Sequence, residues 1–167
     1  MNKMTVKMTK EALYDFLLFH AYSKFSGFLV NILGLAVAFM GVILYVTGKA
    51  GTVNLIIYLV AAFLFLGYTP IQLKMRAKKQ VEVNPEYANP VEYTFSEEEG
   101  ITVKWEGEEK QFAWTDIERA VVTPKTIGVY YEKDKALILP KWDFGDQFLP
   151  IFQMIARHLG KNNMRMR

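Results

Sequence analysis

Cysteine is absent from this chain of 167 residues, and histidine occurs only at His20 and His158. Without cysteine the protein can form no disulfide bond, no zinc–thiolate site and no thiol nucleophile. The two histidines lie in different segments, and no serine lies in a glycine-flanked nucleophile turn. The sequence also lacks a glycine-rich phosphate loop and the acidic spacing of a calcium loop. We therefore expect no enzymatic activity, no catalytic residue, no metal and no cofactor.

Charged residues are missing from two long stretches. No charged side chain occurs between Lys24 and Lys49, and none occurs between Lys49 and Lys74. Each stretch contains 24 residues, and a helix of that length spans about 36 Å, more than the roughly 30 Å hydrocarbon core of a bilayer. The buried helices of soluble domains rarely continue this far without charge. The pattern predicts two transmembrane helices, at 25–48 and 52–73, joined by a short turn.

Basic residues flank the predicted hairpin on both sides, whereas the turn holds only Lys49. Residues 1–79 contain 9 basic and 2 acidic side chains, and residues 80–167 contain 11 basic and 15 acidic ones. Because positive flanks stay in the cytoplasm, we expect a two-span protein of the cell membrane with both termini cytoplasmic. The residues expected to contact anionic lipid headgroups are Lys24, Lys74, Arg76, Lys78 and Lys79. The acidic second half makes a nucleic-acid partner unexpected.

Small, polar and aromatic residues recur at alternating steps of four and three along both predicted helices. These residues are Gly27, Asn31, Gly34, Ala38, Gly41 and Tyr45 on the first helix, and Asn54, Tyr58, Ala61, Phe65 and Tyr68 on the second. This spacing draws one stripe along each helix, as in a left-handed helix pair. We expect the two stripes to form the seam of the hairpin, so that Gly41 meets Tyr58 and Asn31 meets Tyr68. The alternative is a conduit lined by the asparagines and tyrosines, which would require an oligomer.

The segments next to the membrane have mixed patterns. Residues 1–24 combine a weak alternation at 5–8, typical of a short strand, with an amphipathic stretch from Lys10, typical of an interfacial helix. Residues 74–90 are basic at first and then contain two Asn-Pro pairs, which predicts a juxtamembrane linker.

From residue 91 the hydrophobic period changes to two. Short alternating segments are separated by turns, and they cover 91–95, 101–105, 110–114, 119–123, 126–131 and 135–139. Residues 144–159 then place Phe148, Ile151, Phe152, Ile155 and Leu159 at helical spacing, and 161–167 is a basic tail. We expect an α+β membrane protein, in which the transmembrane hairpin precedes a cytoplasmic domain at 91–160. That domain is predicted to be an antiparallel, bent sheet capped by a C-terminal helix, the pleckstrin-homology-like (PH-like) architecture.

A set of short motifs accompanies this organisation. The most specific motif is the run Trp114, Thr115, Asp116 and Ile117, followed later by Pro140 and Lys141. Together with the hairpin, these motifs resemble the bacterial YcxB-like membrane proteins. The resemblance implies a cytoplasmic domain on a membrane hairpin, and it carries over no established activity. Trp142 departs from the family pattern, in which a basic residue is expected.

The motif also has a structural interpretation that is independent of the family. Trp114 ends a strand and precedes a predicted one-turn helix, so its ring can lie under that turn. Thr115 or Asp116 can cap the turn, and Ile117 can return to the core.

Three functions fit these observations. The first, which we expect, is a membrane-anchored, non-enzymatic interaction or regulatory module that presents its domain to an unidentified protein partner. The second is an envelope or toxin- and peptide-resistance protein that associates with lipid headgroups through its basic flanks and its tail. The third is a small transporter subunit that works as a homo-oligomer.

Overall fold

The computed structural model describes residues 1–166, except for the side chains of Ser26 and Met166. The chain forms two compact units. One unit contains Met1–Phe16 and the residues from Ala77 onward, and the other contains Leu17–Arg76. Arg167, the last residue of the predicted basic tail, lies outside the described residues.

Two long helices supply most of the second unit. Helix α1 is Lys10–Ser23, α2 is Phe25–Val46 and α3 is Thr52–Val83. Helices α2 and α3 are long and apolar enough to cross a membrane, and only 11% and 6% of the residues in their apolar stretches are buried. Because an apolar helix in a water-soluble core would be mostly buried, this exposure favours a lipid environment.

Helix α3 continues well past residue 73, where the predicted transmembrane segment ends. No glycine or proline interrupts the chain from Gln72 to Val83, so the basic segment predicted as a linker stays helical. Lys78 and Glu82 form an ion pair one turn apart, at 3.9 Å. The helix ends before Asn84, whose side chain caps the short helix α4 (Pro85–Ala88).

The first unit is built on two four-stranded sheets. In the first sheet, β1 is Asn2–Val6, β2 is Val91–Ser96, β3 is Gly100–Trp105 and β4 is Glu108–Phe112. In the second sheet, β5 is Arg119–Val122, β6 is Thr126–Glu132, β7 is Lys135–Pro140 and β8 is Met164–Met166. The strand orders are β1-β2-β3-β4 and β7-β6-β5-β8, and every pairing is antiparallel except that of β5 with β8. The α+β class and the six strands predicted after residue 91 are thereby confirmed.

The N-terminal segment is an integral part of this sheet unit. Strand β1 pairs with β2 over its whole length, from Asn2 opposite Phe95 to Val6 opposite Val91. Met4, Val6 and Met8 are buried at alternating positions. The unit therefore contains more of the chain than the predicted domain at 91–160, because these apolar side chains fill its core.

The first half of α1 also packs into the sheet unit, where the sequence predicted an interfacial helix. Ala12, Leu13 and Phe16 are buried. The Phe16 ring lies against the Cα of Gly128, where an added Cβ would collide with it, and its centroid is 5.8 Å from that of Tyr130. The lack of a side chain at position 128 thus makes room for the aromatic ring of α1.

A polar network fixes the same helix to the second sheet. The Asp15 carboxylate accepts hydrogen bonds from the Thr123 hydroxyl and, at 3.1 Å, from the backbone N–H of Lys125. The Thr123 and Thr126 hydroxyl oxygens are 2.7 Å apart, and both residues are buried. This network joins α1 to the turn between β5 and β6.

The C-terminal helix α5 is Phe148–Leu159, and it buries Ile151, Met154, Ile155 and Leu159. Asp143, which precedes this helix, accepts a hydrogen bond on its carboxylate from the backbone N–H of Lys7, at 3.0 Å. Burial raises the pKa of Asp143, and the Lys7 hydrogen bond partly opposes that rise.

Candidate functional site

A cavity of about 160 Å³ lies within the sheet unit and is lined by residues of both sheets and of α4. Its aromatic lining consists of Tyr87, Tyr93, Trp105, Phe112 and Tyr131. Aliphatic side chains such as Val6, Val103 and Leu137 complete the wall, and Glu86 and Lys110 are its two charged members. The cavity therefore combines aromatic and aliphatic walls with polar groups, a combination that is found in ligand-binding sites.

Strand register places a lysine on the inner face of the first sheet. Val103 lies opposite Tyr93 on one side and opposite Lys110 on the other. Directly opposed residues in an antiparallel pair point to the same face, and both Tyr93 and Val103 are buried. Lys110 thus lies on the same face as these core residues, although it is itself exposed, as are all residues of β4 except Phe112.

The Lys110 ammonium is held over aromatic rings. Its Nζ lies 4.9 Å from the ring centroid of Phe112 and 5.5 Å from that of Tyr131. Both distances are within the roughly 6 Å range of cation–π attraction. The Phe112 and Tyr131 rings are themselves in contact, with centroids 4.6 Å apart and planes tilted by 44°. Two lining rings therefore form one surface that accepts a cation.

Three phenols share the polar part of the cavity. Tyr93 is 8% exposed, and no residue within the described part of the chain forms a hydrogen bond with its hydroxyl. Burial raises the pKa of Tyr93 far above its ordinary value, and Tyr87 and Glu86 raise it further. Burial is also the main cause of the raised pKa values of Tyr87 and Tyr131, to which Glu86 again contributes. The three phenols are therefore protonated at neutral pH, and each offers an O–H donor and acceptor lone pairs.

The centre of the predicted hairpin seam is closely packed. Gly34 and Gly41 are buried in α2, and the Cα of Gly41 lies against the Tyr58 side chain. A Cβ on Gly34 would be 2.9 Å from Leu66 and 3.3 Å from Phe65. The absence of side chains at these two positions lets the helices approach closely, as is common in membrane helix pairs.

The other predicted seam residues are half-buried or exposed. The Asn31 amide donates to the carbonyl oxygen of Gly27 in its own helix, at 3.2 Å. A Cβ on Gly27 would meet the carbonyl oxygen of Ala21 at the end of α1, not α3. The other members are half-buried or exposed: Ala38, Tyr58 and Ala61 are half-buried, and Tyr45, Asn54, Phe65 and Tyr68 are exposed. Among the residues that the structure describes, no hydrogen bond joins an amide of this seam to a phenol.

The basic residues predicted to contact headgroups are all exposed. Lys24 separates α1 from α2, and Lys74, Arg76, Lys78 and Lys79 lie along α3. Four of them lie on one continuous helix, where a rotation of about 100° per residue spreads them over roughly 200° of its circumference, so they do not form a single cluster. Their contact with lipid remains a prediction.

The tryptophan of the sequence motif anchors the C-terminal helix. Trp114 begins a 3₁₀ turn that ends at Asp116, and its indole N–H donates to the carbonyl oxygen of Ser96, at 2.9 Å. Its ring stacks on His158 of α5, with centroids 4.4 Å apart and planes within 1°. His158 Nε2 in turn lies 2.9 Å from a carboxylate oxygen of Glu97. These contacts join α5 to the turn between β2 and β3, which is a structural role.

The remaining motif residues also serve the fold. The Asp116 carboxylate accepts a hydrogen bond from the backbone N–H of Ala113, at 3.2 Å. Thr115 is exposed. Ile117 is buried. Pro140, which ends β7, is fully buried, and the backbone N–H of Lys141 donates to the carbonyl oxygen of Lys125, at 2.8 Å. Trp142 is 49% exposed.

The cavity residues were not identified from the sequence. Strand alternation does indicate one of them, Lys110. This residue lies opposite the apolar Val103 of β3, where the alternation favours an apolar side chain. No sequence pattern indicates that Glu86 and Tyr87 line the cavity, since they lie in a segment that is predicted to be a linker. Only the assembled sheets bring these groups together.

Among known families, residues 97–150 match the family model described as YcxB-like protein. The match covers β3 to β7 and the motif around Trp114, and it confirms the resemblance noted from the sequence. No curated protein and no solved structure matches the chain.

Proposed function

We propose that this chain, which is YcxB-like over residues 97–150, is a membrane-anchored, non-enzymatic binding module. Its cavity receives one group of a partner molecule, and its helical hairpin keeps the module at the cell membrane. The observation that supports this function best is Tyr93, which is buried at the cavity while its hydroxyl stays accessible and forms no hydrogen bond with any described residue. A ligand group that reaches this hydroxyl can form a hydrogen bond with it, which contributes about 1 kcal/mol.

We also propose a PH-like fold for the sheet unit. Strands β1 to β4 form one sheet, β5 to β7 follow consecutively in a second sheet, and α5 comes after them. This order is what a bent sheet capped by a C-terminal helix requires. The membrane hairpin then occupies the connection between β1 and β2.

The pairing of β1 with β2 supports a topology with both chain ends on one side. These strands precede and follow the hairpin, yet they are hydrogen-bonded neighbours. A bilayer cannot separate two paired strands, so the residues before α2 and after α3 share a compartment. The basic flanks of the hairpin favour the cytoplasm for that compartment.

The cavity volume limits what the module binds. About 160 Å³ is close to the roughly 150 Å³ cavity known to hold a benzene molecule, and it is well below the 300–1,000 Å³ of drug-sized pockets. The site therefore accommodates one side chain of a protein partner or one end of a small molecule.

Photo-crosslinking from the cavity wall tests this function. A photoreactive amino acid at Ala136, which lines the cavity, is expected to give one defined adduct in intact cells. Adding Tyr93→Phe should lower the adduct yield severalfold, because a hydrogen bond to the bound group contributes about 1 kcal/mol. The same photoreactive residue at Lys133, an exposed position outside the cavity lining, is the control. An adduct from Lys133 alone, or no adduct from Ala136, would contradict the proposal.

A further inference from the structure

We propose that the group recognised by the cavity is an ammonium on an apolar stem, and that Lys110 occupies its site until the ligand ammonium replaces it. This inference rests on the proposed binding function and adds the chemical class of the ligand. The ligand ammonium is either a primary or a methylated amine, carried by a protein side chain or by a small molecule.

The aromatic lining is suited to a cation. Five of the residues around the cavity are aromatic, and two of the rings, Phe112 and Tyr131, already face the Lys110 ammonium at 4.9 and 5.5 Å. The electron-rich faces of such rings attract ammonium groups, and aromatic cages of this kind bind quaternary amines. The structure thus displays the interaction that the ligand is proposed to make.

The polar groups of the cavity also complement a cation. Glu86 is the one carboxylate in the lining, and it acts electrostatically on Tyr87, Tyr93 and Tyr131. The carboxylate carries a full negative charge, so it attracts the same cation that the electron-rich ring faces attract. The free lone pairs of the Tyr93 hydroxyl accept an N–H from a primary ammonium.

Lys110 is able to leave its position at little cost. Its side chain is exposed and forms no ion pair among the residues that the structure describes. On release its ammonium regains full hydration while its strand stays paired with β3. Lys110 therefore acts as a competitor within the chain, and its removal should strengthen the binding of an ammonium ligand. A site for an anion would behave in the opposite way, because Lys110 would then be the residue that binds the ligand.

The test titrates the full-length protein in detergent micelles with tetramethylammonium, and in parallel with acetate and with the neutral isostere tert-butanol. Chemical shifts of labelled Tyr and Trp side chains report binding. Lys110→Gln is expected to tighten tetramethylammonium binding by roughly fivefold or more, and Glu86→Gln and Tyr131→Leu are expected to weaken it by a similar factor. Lys104→Gln, an exposed lysine on the outer face of β3, should leave the affinity unchanged. A lysine peptide and its trimethyl-lysine form then distinguish primary from methylated ligands.

Three results would overturn the inference. Weaker tetramethylammonium binding by Lys110→Gln is the first, and acetate binding that depends on Lys110 is the second. Equal affinity for tert-butanol and tetramethylammonium is the third. Each of these leaves the proposed binding function standing, because the cavity still takes up a ligand. Failure of all three probes, with an adduct still formed from Ala136, would also reject the ammonium class. Loss of that adduct would reject the binding function itself.

Discussion

A chain that lacks residues 1–8 is expected to lose the folded sheet unit, even though the YcxB-like segment at 97–150 stays intact. The deletion removes β1 and, with it, the only partner strand on one side of β2. It also removes the buried side chains of Met4, Val6 and Met8. Burial of each such side chain contributes roughly 1.5–3 kcal/mol, so the combined loss approaches the total free energy of unfolding of a typical domain, about 5–15 kcal/mol.

Amide hydrogen exchange of the full-length and shortened chains in detergent measures this loss. We expect the amides of β2, β3 and β6 to be protected in the full-length chain and to exchange freely without residues 1–8. Deletion of 164–167, which removes only the short edge strand β8 and the final residue, is the control and should leave most protection in place. Equal protection of these amides in the full-length chain and in the chain without residues 1–8 would show that β1 is dispensable.

Phe16→Ala is expected to destabilise the sheet unit by about 3–5 kcal/mol, the usual cost of removing a buried phenylalanine ring. Phe16 is 7% exposed, and its ring fills the space beside Gly128 and Tyr130. The unsubstituted Cα of Gly128 leaves a void that the shortened side chain cannot fill. A second effect follows, because the same helix positions Asp15 for its hydrogen bonds with Thr123 and Lys125.

Thermal denaturation followed by tryptophan fluorescence checks this value, since all three tryptophans (105, 114 and 142) lie in the sheet unit. Phe28→Ala provides the matched control. Phe28 is 57% exposed on α2, so the same truncation there should change the transition of the sheet unit by less than about 0.5 kcal/mol. Equal shifts from the two substitutions would mean that Phe16 does not pack in the core.

The local elements of this fold are predictable from the sequence because each has a local signal. The absence of charge between Lys24 and Lys74 predicts two long apolar helices, apart from the turn at Lys49, and both are present. Alternation between turns predicts the six strands from β2 to β7, which also appear within a few residues of their expected bounds. Helix α3 extends beyond its predicted end because a basic segment without glycine or proline carries no signal for stopping.

The N-terminal strand shows why the remainder was not predictable. Lys3 and Glu92, which form an ion pair at 3.2 Å between adjacent strands, are 89 residues apart in sequence. No periodicity within a segment reports a pairing over that distance, and a short strand of five residues looks weak by itself. The predicted domain therefore begins at residue 91, and the sequence pattern assigns the N-terminal helix to the membrane interface.

The cavity is not predictable from the sequence for a related reason. Tyr93, Lys110 and Tyr131 belong to three different strands, and Tyr87 belongs to a short helix. Each residue has an ordinary local explanation, since tyrosine is common in strands and lysine is common on edge strands, where it discourages aggregation. Their shared function depends on strand register and on how the two sheets pack.

The central claim is that the hairpin interrupts one folded unit, so that the parts of this unit before and after the hairpin lie on the same side of the membrane. Cross-linking of β1 to β2 in the native membrane tests this claim most directly. Because the chain has no cysteine, Thr5→Cys and Glu92→Cys introduce a unique pair at positions that face each other in the sheet. A short bifunctional thiol reagent is expected to join them in nearly all molecules. Thr5→Cys with Glu109→Cys, which lies on β4 at the opposite edge of the same sheet, should remain unlinked. Absence of the Thr5–Glu92 link, with both thiols reactive, would contradict the fold and the topology together.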